Sequence, residues 1–164
     1  MIEKACLSDA EEILLVINIS NREAYKKVIP KEHFREPVLS FAELLRDFER
    51  MSFYVYKSEG RIVGVAALEV EGKERGRIHW VYILPEYQRR GIGTALVSYV
   101  EQEAREIGLK RLRLLTVEQA DWAVSFYKKL GYTLADRVDR PWGFDVFLEK
   151  ELPASAGNFE VRRF

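Results

Sequence analysis

Apolar residues recur along the chain at two spacings, one typical of helices and one typical of strands. Helical spacing within residues 13–17, 44–48, 94–107 and 120–130 predicts four helices. Runs of β-prone or largely apolar residues predict strands at residues 2–6, 53–56, 62–70, 78–84, 112–117, 133–138 and 144–149. Strands and helices therefore alternate, and no repeat or low-complexity tract interrupts them.

Two capping boxes mark the starts of the first two helices. Ser8 is followed three residues later by Glu11, and Ser40 is followed in the same way by Glu43. In such a box the serine hydroxyl accepts from an amide of the first turn, while the glutamate accepts from the amide of the serine. We therefore expect the first helix to start from Ser8 and the second from Ser40.

The strand predicted at residues 78–84 carries bulky residues on both faces, which indicates a central position in the sheet. A helix separates it from the strand at residues 112–117, and this order predicts that the two strands are parallel. Residues 141–143, P-W-G, are expected to form the turn between the last two strands. We expect one domain over residues 1–152 and a short tail over residues 153–164.

Composition and charge narrow the class of protein. The 164 residues contain 26 Lys and Arg against 26 Asp and Glu, and this formal net charge of +0 disfavours a nucleic-acid binder. Cys6 is the only cysteine, which excludes an internal disulfide and a cysteine-based zinc site, and we expect no metal. No apolar run has the length of a membrane span, and the N-terminus lacks the plan of a signal peptide. We therefore expect a cytoplasmic globular protein with no membrane partner.

The most informative segment is a glycine-containing turn between the strand at residues 78–84 and the helix that follows it. Gly91 and Gly93 allow unusual backbone conformations and close approach to a ligand, while Arg89 and Arg90 add forked donors for phosphate. A helix N-terminus also has unpaired amides and a partial positive charge. These properties predict a phosphate site, and a simple tight turn is the alternative. A third glycine and a Gly-Lys-Ser/Thr sequence are both missing, which excludes the dinucleotide fingerprint and the Walker loop.

Two motifs resemble those of the GNAT superfamily of N-acetyltransferases. Residues 88–93, Q-R-R-G-I-G, are similar to that family's Gln/Arg-x-x-Gly-x-Gly/Ala signature, and residues 81–87, V-Y-I-L-P-E-Y, are similar to its strand and lead-in. Residues 123–132, A-V-S-F-Y-K-K-L-G-Y, are similar to its helix-and-turn signature. The resemblance extends over residues 2–150 in the element order of the family.

The resemblance implies an α/β (α+β) fold of three layers, the acyl-CoA N-acyltransferase fold. A mixed central sheet of six or seven strands then has helices on both faces and a splay between two parallel strands. Acetyl-CoA is implied to bind in that V-shaped opening as the cosubstrate. The residues implied to contact it are Val81 and Ile83 through their backbone, Gln88, Arg89, Arg90, Gly91, Ile92, Gly93 and Thr94 in the phosphate-binding turn, and Phe126 and Lys129. Lys129 is alternatively an exposed helix charge.

The resemblance also implies catalytic residues. Tyr127 matches the general-acid tyrosine of the family, and an ordinary pKa near ~10 keeps a phenol protonated at neutral pH; the alternative is a core aromatic residue. His79 is the candidate base, because strand periodicity places it on the same face as Val81 and Ile83 and its ordinary pKa of ~6.5 suits neutral pH. The alternatives are a histidine satisfied by the backbone, Glu69 acting through water, and no dedicated base.

Two positions depart from the family pattern. Ala120 stands where many members have an asparagine that contacts the pantetheine arm, and Leu115 stands where acetyltransferases of protein N-termini often have a glutamate. The second departure disfavours that substrate. We expect the acceptor to be recognised by residues 21–39, where an aromatic pair with Glu23 could hold a cationic amine. The turns around Gly72 and Pro141 flank the opening in the fold that the resemblance implies, and we expect them to contribute as well.

The predicted function is transfer of the acetyl group of acetyl-CoA to a primary amine by direct attack in a ternary complex. The acceptor is a small molecule or a peptide or protein amine, and β-rich edge strands are compatible with a homodimer. One alternative is a non-catalytic acetyl-CoA-binding regulatory or interaction module. Another is a nucleic-acid-binding protein that uses Arg89, Arg90, Arg111 and Arg113, which the neutral net charge disfavours.

Overall fold

The computed structural model describes residues 1–154. Its helices and strands are, in chain order, β1 (Ile2–Lys4), α1 (Ala10–Tyr25), α2 (Phe41–Arg50), β2 (Met51–Ser58), β3 (Arg61–Val70), β4 (Arg75–Ile83), α3 (Ile92–Glu106), β5 (Arg111–Val117), α4 (Asp121–Lys129), β6 (Thr133–Arg140) and β7 (Gly143–Glu151). The tail predicted at residues 153–164 lies, apart from its first two residues, outside the described part of the chain. Among residues 1–154, no helix has both the length and the apolar character needed to cross a membrane.

The strands of the described residues form one seven-stranded mixed sheet in the order β1-β2-β3-β4-β5-β7-β6. β4 lies at its centre, as its apolar residues predict, and pairs with β5 in parallel. The other neighbouring strands are antiparallel. The mixed sheet and the parallel pair predicted from the sequence are therefore confirmed.

Helices cover both faces of the sheet. A Cβ atom built on Gly64 of β3 would lie 3.0 Å from Leu96 and 3.1 Å from Ile92, which places α3 directly against this face. On the opposite face, the hydroxyl of Tyr82 donates to Asn21 of α1 over 2.9 Å. Buried aliphatic side chains from both layers and the sheet form one core, which includes Ile13, Ile17, Val63, Val65, Leu96 and Val100. The expected three-layer architecture is confirmed.

The capping box predicted at Ser40 is confirmed, and the one predicted at Ser8 is wrong. Ser40 Oγ accepts from the amide of Glu43 over 3.2 Å, and the Glu43 carboxylate accepts from the amide of Ser40 over 2.9 Å. At the other position, the carboxylate of Asp9 accepts from the amide of Cys6 and stabilises a 3-10 turn, so α1 begins one residue after Asp9. The hydroxyl of Ser8 contacts the sulfur atom of Cys6 instead of a helix amide.

Ser40→Ala is expected to lower the free energy of unfolding by about 1 kcal/mol, because the first turn of α2 loses its side-chain acceptor. Ser8→Ala is the matched control and should change this free energy by less than about 0.5 kcal/mol, since its hydroxyl contacts only a sulfur atom. Urea unfolding followed by circular dichroism measures both. Equal losses in the two variants would contradict the assignment of the cap to Ser40.

A β-bulge interrupts β4. His79 and Tyr82 of this strand pair with Ala67 and Val65 of β3, so two residues of β4 stand opposite one residue of its neighbour. Trp80, inside the bulge, has a φ of 54°, in the left-handed region that residues with a side chain rarely adopt. The bulge therefore breaks the regular alternation of side chains along the central strand.

The bulge decides which side chains of β4 share a face. Cross-strand partners project to the same side of a sheet, so His79 shares the face of Tyr82, which contacts α1. Ile83 pairs with Gly64 on the face that contacts α3. The expectation that His79, Val81 and Ile83 share one face is therefore wrong, because an inserted residue shifts the two-residue alternation by one position.

Candidate active site

The central feature of the site is a cleft where β4 and β5 separate. The two strands pair over residues 75–77 and 111–113 and then diverge. The opening between them has a volume of about 710 Å³, a usual size for a small-molecule site. Its walls come from β4, β5, α4, the end of α1 and the start of α3. The splay predicted between two parallel strands is therefore present.

Most of the predicted site residues line this cleft. They are His79, Val81, Ile83, Gln88, Arg89, Gly91, Ile92, Gly93, Thr94, Phe126 and Tyr127. Arg90 and Lys129 do not line it. Arg90 donates to the carbonyl of Glu86 over 3.1 Å and lies over the ring of Tyr87, while Lys129 is exposed on α4. The fold thus gathers the two motifs and His79 around one opening.

The turn before α3 presents a row of free backbone amides. Arg89 and Gly91 have φ values of 63° and 79°, in the left-handed region, and Gly91 is the N-cap of α3. The amides of Ile92, Gly93 and Thr94 have no acceptor within residues 1–154, and no side chain there caps the helix. Alternating backbone conformations of this kind form a concave anion site at the positive end of a helix dipole. The turn therefore has the geometry of a phosphate site.

Gly93 is needed for space and not for backbone freedom. It lies inside α3 and does not have the positive φ of Gly91. A Cβ atom at position 93 would lie 3.3 Å from the ring of Phe126 and 3.8 Å from Ile83. The missing side chain therefore keeps open the space between α3, α4 and β4. The expectation that both glycines adopt unusual conformations holds only for Gly91.

The edge of β4 that faces the cleft offers backbone groups to a ligand. The amide of Leu84 donates to the carbonyl of Val63 in β3 over 2.9 Å, so the amide and carbonyl of Ile83 point the other way, toward the cleft. The side-chain amide of Gln88 donates to the Ile83 carbonyl over 3.2 Å. The amide of Ile83 remains as a donor that faces the opening.

Tyr127 projects from α4 into the cleft and is 8% exposed. Its ring packs edge-on against Phe126 and Tyr132, with centroid distances of 5.0 and 5.8 Å. Its hydroxyl bonds to no group of residues 1–154, yet it is not sealed from solvent, so it faces the open cleft. Burial, the largest cause, and the nearby Tyr25 raise the pKa of Tyr127 well above its usual range. Tyr127 is therefore a protonated donor at neutral pH.

His79 belongs to a chain of hydrogen bonds that joins β3, β4 and α2. Its Nε2 lies 2.8 Å from one oxygen of Glu69, and the other Glu69 oxygen accepts from Arg50 over 2.7 Å. Arg50 also donates to Asp47 over 3.0 Å, and the second oxygen of Asp47 accepts from Trp80 Nε1 over 2.9 Å. Because Trp80 follows His79 in the chain, these bonds close a ring around the bulge and orient both side chains.

The surroundings of His79 favour its neutral form. Burial is the largest influence and lowers the pKa of His79 from the ordinary 6.5, while the hydrogen bond to Glu69 opposes part of this effect. A carboxylate only accepts hydrogen bonds, so the proton of the neutral imidazole lies on Nε2 and Nδ1 keeps a free lone pair. The partner of this histidine is a side chain and not the backbone. His79 can therefore accept a proton through Nδ1.

An aromatic wall that the sequence reasoning did not assign to the site lines part of the cleft. It consists of Tyr25, Trp80, Tyr82 and Trp122. The ring of Tyr25 packs edge-on against Tyr82 at 6.5 Å and contacts Trp122 at 5.7 Å. Tyr25 lies in the segment expected to recognise the acceptor, which was the one signal for this wall. The bulge at Trp80 has no signature in the sequence.

Other residues of the segment at 21–39 turn away from the cleft. Glu23 forms an ion pair with Arg22 at 3.7 Å, and the ring of His33 contacts the β6–β7 hairpin. Neither Glu23 nor His33 lines the opening. In the described part of the chain, no group of three or more His, Cys, Asp or Glu residues is arranged to hold a metal ion.

Comparison with known proteins identifies relatives of the chain. The model of the acetyltransferase (GNAT) family matches residues 16–132. The uncharacterized protein YdhI of Bacillus subtilis is 28% identical over 148 residues, which are 88% of this chain and 91% of YdhI. S-(2-succino)cysteine N-acetyltransferase of the same organism is 27% identical over 118 residues, which are 66% of this chain and 72% of that protein.

A solved structure supports the fold. PaiA N-acetyltransferase from Thermoplasma acidophilum, in complex with coenzyme A, has a TM-score of 0.75 at 22% identity, over 92% of this chain and 98% of that one. The family match covers more than half of the chain and includes both motifs, at residues 88–93 and 123–132. The chain therefore belongs to the acetyltransferase (GNAT) family, as its motifs predict.

Proposed function

We propose that this chain transfers the acetyl group of acetyl-CoA to a primary amine by direct attack within a ternary complex. The observation that carries the proposal is that one cleft has both the free amides of α3 and the unbonded hydroxyl of Tyr127 in its walls. The amides suit a diphosphate, and the hydroxyl suits a departing thiolate. Family membership supports acetyl transfer, and the relative named for S-(2-succino)cysteine supports an amine acceptor.

The residues of the cleft fit acetyl-CoA. The amides of Ile92, Gly93 and Thr94 would hold its pyrophosphate, and Arg89 would add positive charge beside them. At the open edge of β4, the carbonyl of Ile83 would accept from an amide of the pantetheine arm, as a sheet edge accepts from an added strand. The PaiA structure, which has the same fold, is a complex with coenzyme A, and this supports binding of a coenzyme A thioester by the present chain. When bound, acetyl-CoA supplies the thioester carbonyl that an amine attacks.

Acetyl transfer forms a C–N bond and breaks a C–S bond, while the nitrogen loses a proton and the sulfur gains one. Tyr127 would donate its proton to the departing sulfur, since burial keeps the phenol protonated and also raises the pKa of a thiol in the same surroundings. The amide of Ile83 would donate to the carbonyl oxygen as negative charge develops on it. Both donors would therefore be in place before the substrates bind.

His79 would accept the proton of the attacking amine. It lines the cleft, and its Nδ1 has a free lone pair because Nε2 donates to Glu69. Glu69 itself does not line the cleft, and both of its oxygens already accept hydrogen bonds. We therefore assign Glu69 to the orientation of His79 and not to proton transfer through water.

After the ionisation of the acceptor amine is divided out, the acid limb of the kcat/KM profile is expected to report the ionisation of His79. Burial lowers the pKa of His79, so its base form should persist to pH values below the ordinary 6.5. Glu69→Gln removes an influence that raises this pKa, and the limb should therefore move to still lower pH. Glu74→Gln, an exposed control, should leave the limb in place. A limb that is unshifted in Glu69→Gln, or that persists in His79→Gln, would contradict the assignment.

A covalent acetyl-cysteine has no support in the structure. Cys6 is the only cysteine of the chain, and it is exposed next to β1. It does not line the cleft that holds Tyr127 and the start of α3. Direct attack by the amine is therefore the mechanism that the arrangement of residues favours.

The proposal is tested by measuring the thiol released from acetyl-CoA in the presence of amino acids, polyamines, aminoglycosides and short peptides. Amine-dependent thiol release with an acetylated product would support it. Binding of acetyl-CoA by calorimetry, with no thiol release from any amine, would support the non-catalytic module instead. Initial-velocity lines that intersect would indicate a ternary complex, whereas parallel lines would contradict direct attack.

A further inference from the structure

We propose that the acceptor carries a carboxylate which Arg77 binds, an inference that rests on the proposed function and adds the class of substrate. Arg77 lies near the middle of the sheet on β4 and lines the cleft. Its Nε is sealed from solvent and has no hydrogen-bond partner within residues 1–154. A partly buried guanidinium without a counter-ion is unfavourable, and a bound anion would relieve this.

The carboxylates closest to Arg77 are occupied by other groups. Glu69 stands opposite Arg77 in the register of β3 and β4, but each of its oxygens already accepts a hydrogen bond. Glu71 binds Arg113 through both oxygens, over 2.7 and 2.9 Å. Burial is the largest influence and lowers the pKa of Arg77, and the charges of Glu71 and Glu69 offset only part of this effect. Among the described residues, Arg77 therefore forms no ion pair, and its guanidinium contacts the ring of Phe147.

The side chain of Arg77 starts at the closed end of the splay and reaches the ring of Phe147 on β7. Arg77 and Arg113 form the last pair before β4 and β5 diverge. The guanidinium carbon of Arg77 lies 5.5 Å from the centroid of the Phe147 ring. Phe147 stands opposite Leu115, which follows Arg113 toward the open end of β5. Arg77 therefore lines the closed end of the cleft, where its guanidinium shares the ring of Phe147 with that of Arg113.

The residues around the cleft favour an anionic acceptor. Among the described residues, its lining contains Arg77 and Arg89 but no aspartate or glutamate. Glu23, the sequence candidate for binding a cationic amine, is not part of this lining. Ser20 of α1 contributes its Oγ, a second buried polar atom that has no partner within residues 1–154. A polyamine would find no counter-ion in this lining, whereas a carboxylate would find a guanidinium and a hydroxyl.

Arg77 is too distant from the phosphate turn to serve the phosphates of acetyl-CoA. It pairs with Arg113 at the closed end of the splay, whereas the phosphate turn follows the opposite end of β4. A carboxylate also fits better than a second phosphate, because one guanidinium balances one negative charge. The negative charges of Glu69 and Glu71 near Arg77 would repel a dianion more strongly than a monoanion. The expected acceptor therefore has an amine and a carboxylate.

The test compares matched acceptors in the thiol-release assay, using amino acids against their carboxamides and β-alanine against β-alaninamide. Arg77→Gln should lower kcat/KM roughly 30-fold for the carboxylates, as expected for a lost charge-assisted hydrogen bond, and less than about threefold for the carboxamides. For each acceptor, kcat/KM of the variant is divided by that of the wild type, so the effect of the amine pKa on the rate cancels. Arg75→Gln is the control, since Arg75 lies on the same strand outside the lining and pairs with Glu71.

Equal losses on both members of each pair would overturn the inference, as would a preference for O-phosphoethanolamine over β-alanine. If amines without a carboxylate release thiol as efficiently as amines with one, the inference is rejected and the proposed function is left intact. Titration of the same acceptors into the coenzyme A complex of wild type and of Arg77→Gln compares the affinities for carboxylates and carboxamides without turnover. Carboxylate binding that depends on Arg77, with no thiol release from any acceptor, would support the inference and reject the proposed function.

Discussion

Gly93→Glu is expected to weaken the binding of acetyl-CoA about 100-fold or more. The new carboxylate would lie among the free amides of the first turn of α3 and compete for donors that are each worth about 1.5–3 kcal/mol to a charged ligand. It would also crowd Phe126, since a Cβ atom at position 93 lies 3.3 Å from that ring. The fold should persist, because an acidic residue near a helix N-terminus is favourable. Isothermal titration calorimetry with acetyl-CoA measures the effect.

Two controls separate the charge of the new side chain from its size. Gly93→Ala adds a Cβ atom that requires only a small shift of Phe126, and it should weaken binding far less. Gly72→Glu places the same charge on the turn between β3 and β4, where nothing lies within 4 Å of the new Cβ atom. This second control should leave the dissociation constant unchanged. Wild-type affinity in Gly93→Glu would refute a phosphate site at the start of α3.

Tyr127→Phe is expected to lower kcat about 100-fold, the lower end of what loss of a general acid or base costs. The dissociation constant of acetyl-CoA should change by no more than about threefold, because the amides that suit the pyrophosphate lie on another helix. Stability should also be retained, since the hydroxyl bonds to no group of residues 1–154 and the ring contacts with Phe126 and Tyr132 remain. Steady-state thiol release, calorimetry and thermal unfolding measure the three quantities.

Tyr132→Phe is the matched control for this variant. Its hydroxyl donates to Glu101 over 2.7 Å, and its ring does not line the cleft. The control should therefore lose about 1.5–3 kcal/mol of unfolding free energy, as expected for a hydrogen bond to a charged group, and keep its kcat. Unchanged turnover in Tyr127→Phe would contradict the role of Tyr127 as the acid. It would support the alternative interpretation, in which Tyr127 is a core aromatic residue.

The two serine boxes show how far a local pattern predicts structure. Ser8 and Ser40 are each followed three residues later by a glutamate, yet only Ser40 caps a helix. At the first position Asp9 is a closer competitor, because its carboxylate accepts from the amide of Cys6 and starts a 3-10 turn. The capping-box pattern includes only the serine and the glutamate, so it does not predict that a neighbouring carboxylate, here that of Asp9, takes the role of acceptor.

The part of the candidate site that suits a phosphate was predictable because its residues are consecutive in the sequence. Residues 88–93 form one turn whose properties depend on two glycines and on the end of a helix, and all of these are visible in the sequence. The aromatic part of the cleft was not predictable in the same way. Its aromatic wall combines Tyr25 and Trp122, which are far apart in the chain, with two residues at the bulge of β4.

By itself, the sequence determined the order of strands and helices, the parallel central pair and the turn at residues 88–93, because each depends on spacing among near neighbours. Only the tertiary structure decided that His79 shares a face with Tyr82 and not with Ile83, since one inserted residue in β4 reverses every later position. It also decided that Arg77 has no counter-ion, because a charge is paired or unpaired only by what surrounds it in space.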